Sequence, residues 1–281
     1  MKKLLTPNLA WLLLGGLLAF TSCKKDEEVK PEDMIVSAED NARLETEMES
    51  VQNFVDAEAA DPDLQTSGTS KSGNLANCAT RTWNAATKTL TIDFGTNNCL
   101  CKDGKYRRGQ IVAVFNGPWR TAGSTVATTL VNYFVNDLKH TGTRVATSLT
   151  DASAANFKYR VEVKNASIEF PNGTSRDWNA LREVERTAGH GTLTLLDDEY
   201  LVTGTAQGTN RRGVGFTATI GQPLKKVFQF GCARNFVSGT INITNANQKS
   251  MLLNYDPTGN EACDKVASVT INGQTRFITL R

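Results

Sequence analysis

The chain has 281 residues, 40% of them hydrophobic and 21% charged, enough for one large domain or two smaller ones. Without Lys2 and Lys3 its 31 basic residues fall to 29, equal to the 29 acidic ones. A chain so balanced has no broad electrostatic attraction for nucleic acid or for an anionic membrane surface, and that class of partner is set aside.

The first segment reads as an address. Lys2 and Lys3 precede an apolar run from Leu9 to Phe20, and Thr21-Ser22-Cys23 follows. The run is shorter than the ~20 residues that span a bilayer and suits the ~7–15-residue core of a signal peptide. Small residues directly before a cysteine form a lipobox. Residues 1–22 are therefore expected to be removed as a lipoprotein signal peptide, and Cys23 to carry acyl chains, palmitate among them. More than one chain is needed, because a single acyl chain anchors only marginally. The expected product is a domain outside the cytoplasm, tethered to a membrane by its acyl chains.

Residues 23–36 are charged, contain Pro31 and read as a tether. Ser37-Ala38-Glu39-Asp40 then opens a helix over 37–61, with Ser37 capping the first turn and Asp40 reaching back. Leu44, Met48, Val51 and Val55 recur at helical spacing, Phe54 widens the stripe, and Glu45, Glu49, Asn53 and Asp56 occupy the other face. Asp61-Pro62-Asp63 ends the helix. Residues 62–77, rich in Ser, Thr and Gly, read as a flexible linker.

From Cys78 the hydrophobic period changes to two. Leu90, Ile92 and Phe94 alternate with Thr91 and Asp93; Tyr159, Val161 and Val163 alternate with Arg160, Glu162 and Lys164. Turn signals stand at Asn136-Asp137, Pro171-Asn172-Gly173 and Asn272-Gly273. The expected fold is mainly β: residues 78–281 form a large antiparallel meander of twelve to fourteen strands, preceded by one amphipathic helix. It is either a curled sheet with the helix on its concave side or a two-sheet sandwich. Charged residues alternating with apolar ones, as in Arg182-Glu183-Val184-Glu185-Arg186, suit a sheet with one wet face. Thr141-Gly142-Thr143, Thr203-Gly204-Thr205 and Ser238-Gly239-Thr240 recur without a fixed period, as β sheets reuse threonine and glycine.

With Cys23 committed to lipid, five cysteines remain, so at least one is unpaired within the chain. An exported protein can form disulfides. Cys232 and Cys263 lie nearly equidistant from the centre of a hairpin, which places them opposite one another. Cys78 can reach Cys99 or Cys101 around the turn at Asn84–Thr87. Zinc sites prefer wider spacing than Cys99-x-Cys101, and His140 and His190 are not spaced as a pair; neither metal nor cofactor is expected.

No catalytic constellation emerges. His190 reads as an exposed turn residue, His140 as solvent-facing, and Asp197-Asp198-Glu199 as a solvated hairpin loop. The candidate ligand contacts are two basic turns, Arg107-Arg108-Gly109 and Arg211-Arg212-Gly213, and Trp119 after Pro118. Arginine can clamp a carboxylate or sulfated sugar, and an exposed indole can stack on a sugar ring.

The lipobox, the charged cluster Lys24-Lys25-Asp26-Glu27-Glu28, and the stretches Thr91-Ile92-Asp93-Phe94-Gly95 and Val131-Asn132-Tyr133-Phe134-Val135-Asn136 carry a resemblance. The chain resembles an uncharacterised family of Bacteroidota outer-membrane and surface lipoproteins. The resemblance implies a lipid-anchored location in the outer membrane, at the cell surface, and an all-β fold; it brings no activity and no functional residue. The function expected is a non-catalytic binding or structural role in the envelope, with the membrane engaged through Cys23 and a glycan or envelope protein as partner. A glycan-binding accessory lipoprotein is the second reading, and a glycoside hydrolase with dispersed acids the third.

Overall fold

The computed structural model describes residues 31–59, 68–71, 76, 78–118, 120–191, 197–228, 232, 236–246 and 249–280, with backbone alone for 31–33 and 71. The expected signal peptide and the expected lipidation site at Cys23 lie outside these residues. So does Trp119.

One helix, α1 (Pro31–Ala59), precedes fifteen strands. In chain order these are β1 (Gly68–Lys71), β2 (Thr80–Asn84), β3 (Thr89–Asp93), β4 (Cys99–Leu100), β5 (Tyr106–Phe115), β6 (Thr125–Val135), β7 (Leu138–Ser148) and β8 (Lys158–Glu169). Then follow β9 (Ser175–Ala188), β10 (Glu199–Thr209), β11 (Gly215–Val227), β12 (Ser238–Asn245), β13 (Ser250–Asn254), β14 (Val266–Ile271) and β15 (Gln274–Thr279). All pair antiparallel into a single sheet whose strand order follows the chain, except that β4 pairs only with β5. The sheet is mainly a meander and is not closed into a barrel. Among the described strands β1 and β15 are its two edges. β15 is exposed along most of its length, Phe277 to 65%. The two-sheet sandwich is not what forms: the hydrogen-bonded ladder runs unbroken from β1 to β15.

The hairpin signals act as expected. Asn136 and Asp137 between β6 and β7 have φ of 48° and 64°, and Asn272 and Gly273 between β14 and β15 have 50° and 77°. Both pairs thus have the positive φ that two-residue turns need to match the twist of their strands. The Thr-Gly-Thr recurrence acquires a physical meaning. Gly142 and Gly204 have φ of 123° and 126° and lie where the register shifts, between Thr141 and Thr143 on β7 and between Val202 and Thr205 on β10. A Cβ on Gly204 would stand 2.1 Å from the Leu181 carbonyl oxygen. Such irregularities bend a strand and raise its local twist, which is what a sheet needs to coil.

The helix differs from expectation at its start and in its polarity. It begins at Pro31, inside the segment read as a tether, and ends at Ala59. Proline suits a first helical position because its missing N–H would be unsatisfied there anyway. Ser37 is accordingly not a cap; it is buried within the helix and accepts a hydrogen bond from Asn210 Nδ2 at 2.9 Å. The linker read over 62–77 contains β1, which pairs with β2 through its backbone.

Met34, Leu44, Met48, Val51 and Val55 are buried, as the apolar stripe requires. Yet Asp40, Asn41, Glu45, Glu47, Gln52 and Glu58 are buried as well, and among the described side chains of α1 only Glu39 and Asn53 are exposed. The sheet therefore covers the helix on nearly every side. The first half of α1 joins a core built from β8 to β14, with Trp178, Phe216, Ile243 and Leu253. Val51 and Val55 join a second core built from β3, β5 and β6, with Leu90, Ile92, Phe94 and Ile111. A 29-residue helix is about 43 Å long, and strands are spaced about 4.8 Å apart, so one helix laid across a sheet can reach many strands.

Two disulfides bind the ends of the sheet, Cys78–Cys99 and Cys232–Cys263, with Cα atoms 5.8 and 4.7 Å apart. Of the two partners open to Cys78, Cys99 is the one joined; Cys101 is a buried free thiol. Burial pushes that thiol's pKa up, outweighing the pull of Arg107.

Candidate functional site

The inner face of the sheet carries the charge that the sequence reading assigned to water. On β9 the inward residues are Arg176, Trp178, Ala180, Arg182, Val184 and Arg186, while Glu183 is exposed. The reason is the helix. By sequence α1 carries nine carboxylates and one arginine, and a buried carboxylate needs a cation.

The pairs follow α1 across the strands. Arg182 on β9 takes Glu45 with three hydrogen bonds of 2.6 to 3.2 Å. Arg144 on β7 donates to Gln52, Arg107 on β5 stacks over Phe54 at 4.7 Å, and Arg81 on β2 pairs with Glu58 at 3.4 Å. Flanking these, Lys226 pairs with Glu49, Arg120 with Asp56 at 2.9 Å, and Lys105 with Glu47 at 3.0 Å. Trp178 Nε1 donates to Asn41 Oδ1 at 3.0 Å, so this tryptophan is core.

This architecture absorbs most of the candidate contacts. Arg107 is wholly buried: it grips Asp103 with two bonds of 2.7 Å and donates to Tyr133 Oη at 3.0 Å. Burial opposes its charge, but Asp103 and Tyr133 outweigh that and hold its pKa above the usual guanidinium value. It is a packing residue and not a ligand contact. Arg108 sits apart, pairing with Asp137 and stacking 3.8 Å over Phe134 on the outer face. Arg212 is exposed at the β10–β11 turn. Arg211, at the same turn, borders a feature of ligand size beside the helix.

That feature is a cavity of about 400 Å³ beside the first half of α1. Arg43, Arg176 and Arg211 line it together with Glu39. Phe170, Phe236 and Tyr255 supply aromatic walls, and Thr279 and Leu280 at the end of β15 complete the rim. The cavity thus joins α1, the β8–β9 and β10–β11 turns, and the last strand. Arg176 and Arg211 converge on one oxygen, Asp40 Oδ1, at 2.9 and 2.6 Å. Arg211 reaches Glu39 at 2.6 Å and Arg43 reaches Glu47 at 2.8 Å. Arg176 also stacks 4.6 Å over Phe170. Burial drives the Arg176 pKa down; Asp40 opposes this, and Arg211 and Arg43 add to it.

His140 is buried and not solvent-facing as its sequence setting suggested. Its ring meets Tyr133 edge-on at 6.1 Å, and its Nε2 has no hydrogen-bond partner. Burial drives its pKa down to about 4; Glu47 opposes this, and Arg43, Lys105 and Arg107 reinforce it. His140 is thus neutral in the fold at pH values where it is protonated in the unfolded chain. Stability is intact above pH ~6.5 and is lost as the pH falls towards 4, by about 3 kcal/mol in all. Thermal melts at pH 7 and pH 4.5 should show this loss, and His140→Leu should flatten it; an unchanged slope in the variant would assign the acid sensitivity elsewhere.

Of the acidic cluster read as a solvated loop, Asp198 is buried and accepts the Tyr200 hydroxyl at 2.7 Å. His190 is exposed, as expected. The residues that sequence reasoning missed are Arg43, Arg176, Phe170, Phe236 and Tyr255. A signal existed for one of them: Arg176 and Arg182 stand among the apolar positions of β9 and meet acids of α1, the acidic segment, while Arg186 at the same phase donates to the Ala152 and Ala154 carbonyls.

No family model, no curated protein and no solved structure matches the chain.

Proposed function

We propose that the protein is an exported, lipid-anchored envelope protein of the Bacteroidota surface-lipoprotein type that works by binding and not by catalysis. The observation that carries the binding reading is the cavity beside α1, which combines three guanidinium groups with aromatic walls. Ligand pockets have this character: volumes of ~300–1,000 Å³, mostly apolar walls and a few placed polar groups. The carboxylates around it, Glu39, Asp40 and Glu47, are engaged by arginine or lysine. Burial opposes ionisation of Glu47, but Arg43 and Lys105 outweigh it and hold its pKa below the usual value. Such an ionised, fully engaged acid is a poor proton donor and a good structural counter-ion.

The export reading rests on Thr21-Ser22-Cys23 after an apolar run, and two disulfides support it, since such bonds persist in oxidising compartments. The test is direct. Mass spectrometry of the membrane fraction should find an N-terminal peptide that begins at Cys23 and bears acyl chains, and Cys23→Ser should move the protein into the soluble fraction. An unprocessed leader, or a Cys23→Ser variant that stays with the membrane, would reject the anchor. A glycan ligand is the second reading, favoured by Tyr255, Thr46 and Thr279 in the cavity lining, where hydroxyls and an aromatic ring stand together.

A further inference from the structure

From β5 onward the two ends of the sheet differ in how their strands are joined. At one end the connections are residues 136–137, 170–174, 210–214, 246–249 and 272–273, two to five residues each. At the other they are residues 116–124, 149–157, 189–198, 228–237 and 255–265, nine to eleven residues each. Hairpins ordinarily close with about two to five residues, so all the extra chain stands at the second end.

The helix enters at the short end. Ser37 accepts a hydrogen bond from Asn210 Nδ2 at 2.9 Å, and Asp40 accepts one from the Arg211 backbone N–H at 2.7 Å. α1 then runs along β9: Asp40 meets Arg176, Asn41 meets Trp178 and Glu45 meets Arg182. Glu49 reaches Lys226, one residue before the end of β11, and Asp56 reaches Arg120, within residues 116–124. The helix therefore starts among the short turns and ends among the long connections.

Cys23 stands eight positions before Pro31. Whatever its conformation, a chain of that length spans at most about 28 Å. β9, with 14 residues, is about 45 Å long. Acyl chains on Cys23 therefore cannot enter a bilayer that lies against the long connections while α1 starts at the opposite end.

We propose that the domain stands with its short-turn end, at residues 170–174 and 210–214, towards the lipid headgroups and its long connections away from them. This rests on the anchor reading above and adds an orientation to it. The domain can lean on its tether but cannot invert. Reach alone sets this, so the headgroups need carry no net charge.

Energy transfer from a fluorophore on the acylated full-length chain to a headgroup-labelled lipid in phosphatidylcholine vesicles tests the orientation. Pro171→Cys carries the donor at the short end and Ala155→Cys carries it at the long end, both at exposed positions. The parent chain, with its buried Cys101 thiol, is the blank. Transfer from position 171 should exceed transfer from position 155 several-fold. Adding about twenty Gly and Ser residues between Lys30 and Pro31 makes the tether longer than the strands and should bring the two signals together. Melting temperatures equal to the parent's show that the labelled chains fold; should Pro171→Cys fail this, Asn172→Cys takes its place. Equal transfer in the unextended chain, or more from position 155, would overturn the orientation. A difference that survives the added residues would overturn the tether as its cause. Flotation reads the anchor separately: a chain that does not rise with the vesicles would overturn the anchor, and the orientation with it.

Discussion

Expressed from residue 60 onward, without α1, the chain should lose its cooperative thermal transition. Met34, Leu44, Met48, Val51 and Val55 are all buried against the sheet. At ~1.5–3 kcal/mol for each fully buried side chain, their removal costs about 7–15 kcal/mol, as much as the ~5–15 kcal/mol by which a typical domain is stable. The electrostatic loss acts in the same direction. Arg81, Arg120, Arg144, Arg176, Arg182 and Lys226 each give up a partner on α1 or, for Arg144, the acceptor Gln52. What remains is a curved face of cations with a stripped core. Calorimetry should show no cooperative peak, and a hydrophobic dye should bind. A synthetic peptide spanning 31–59 should restore the peak, because the two pieces carry complementary patterns of charge. A sharp transition without the helix would show that the sheet is self-sufficient and that α1 is an accessory.

The second large effect is expected at a single ion pair. Arg182→Met should destabilise the protein by about 3–5 kcal/mol, because it strands Glu45 among apolar groups without its cation. The side chains of this pair are 4% and 11% exposed. Arg182→Met combined with Glu45→Leu should recover most of the loss, since apolar replacements of similar volume are often neutral or stabilising where a buried pair stood. The contrast lies one residue away on the same strand. Arg160 and Glu183 also meet at 2.6 Å, but with side chains 50% and 54% exposed. Arg160→Met should therefore change stability by less than ~1 kcal/mol. Equal distances with unequal outcomes would establish burial as the deciding quantity. Urea melts of the three variants beside the parent decide it, and a double variant no better than Arg182→Met would mean that Arg182 acts through its packing on Trp178, 5.5 Å away.

The sequence was most readable where the physics is local. Period-two patterns marked the strands because a side chain's face is set by its neighbours two residues away. Asn136-Asp137 and Asn272-Gly273 marked hairpins because the turns need positive φ. The stripe of Leu44, Met48, Val51 and Val55 marked the helix and its burial. Legibility failed where partners are remote. Arg182 and Arg186 look like surface residues until a helix 137 residues away in sequence, for the first of them, supplies Glu45. β1 has no hydrophobic pattern at all and exists because its backbone completes an edge. The cavity was invisible for the same reason: Arg43, Phe170, Arg211 and Tyr255 share no motif, and only the coiling of the sheet brings them together. Arg211 was found by its basic turn, although its work there is chiefly to hold Asp40 and Glu39.

The march of pairings along α1 has a further consequence. From Glu45 to Glu58 the partners step through β9, β7, β5 and β2, so the helix and the sheet are keyed to each other like a shaft and its tumblers. One extra residue in the middle of the shaft would rotate everything beyond it by about 100°, setting Leu, Val and Glu against the wrong notches all at once. An insertion within Pro31–Ala59 should therefore cost far more than one at a hairpin tip such as Asn272-Gly273.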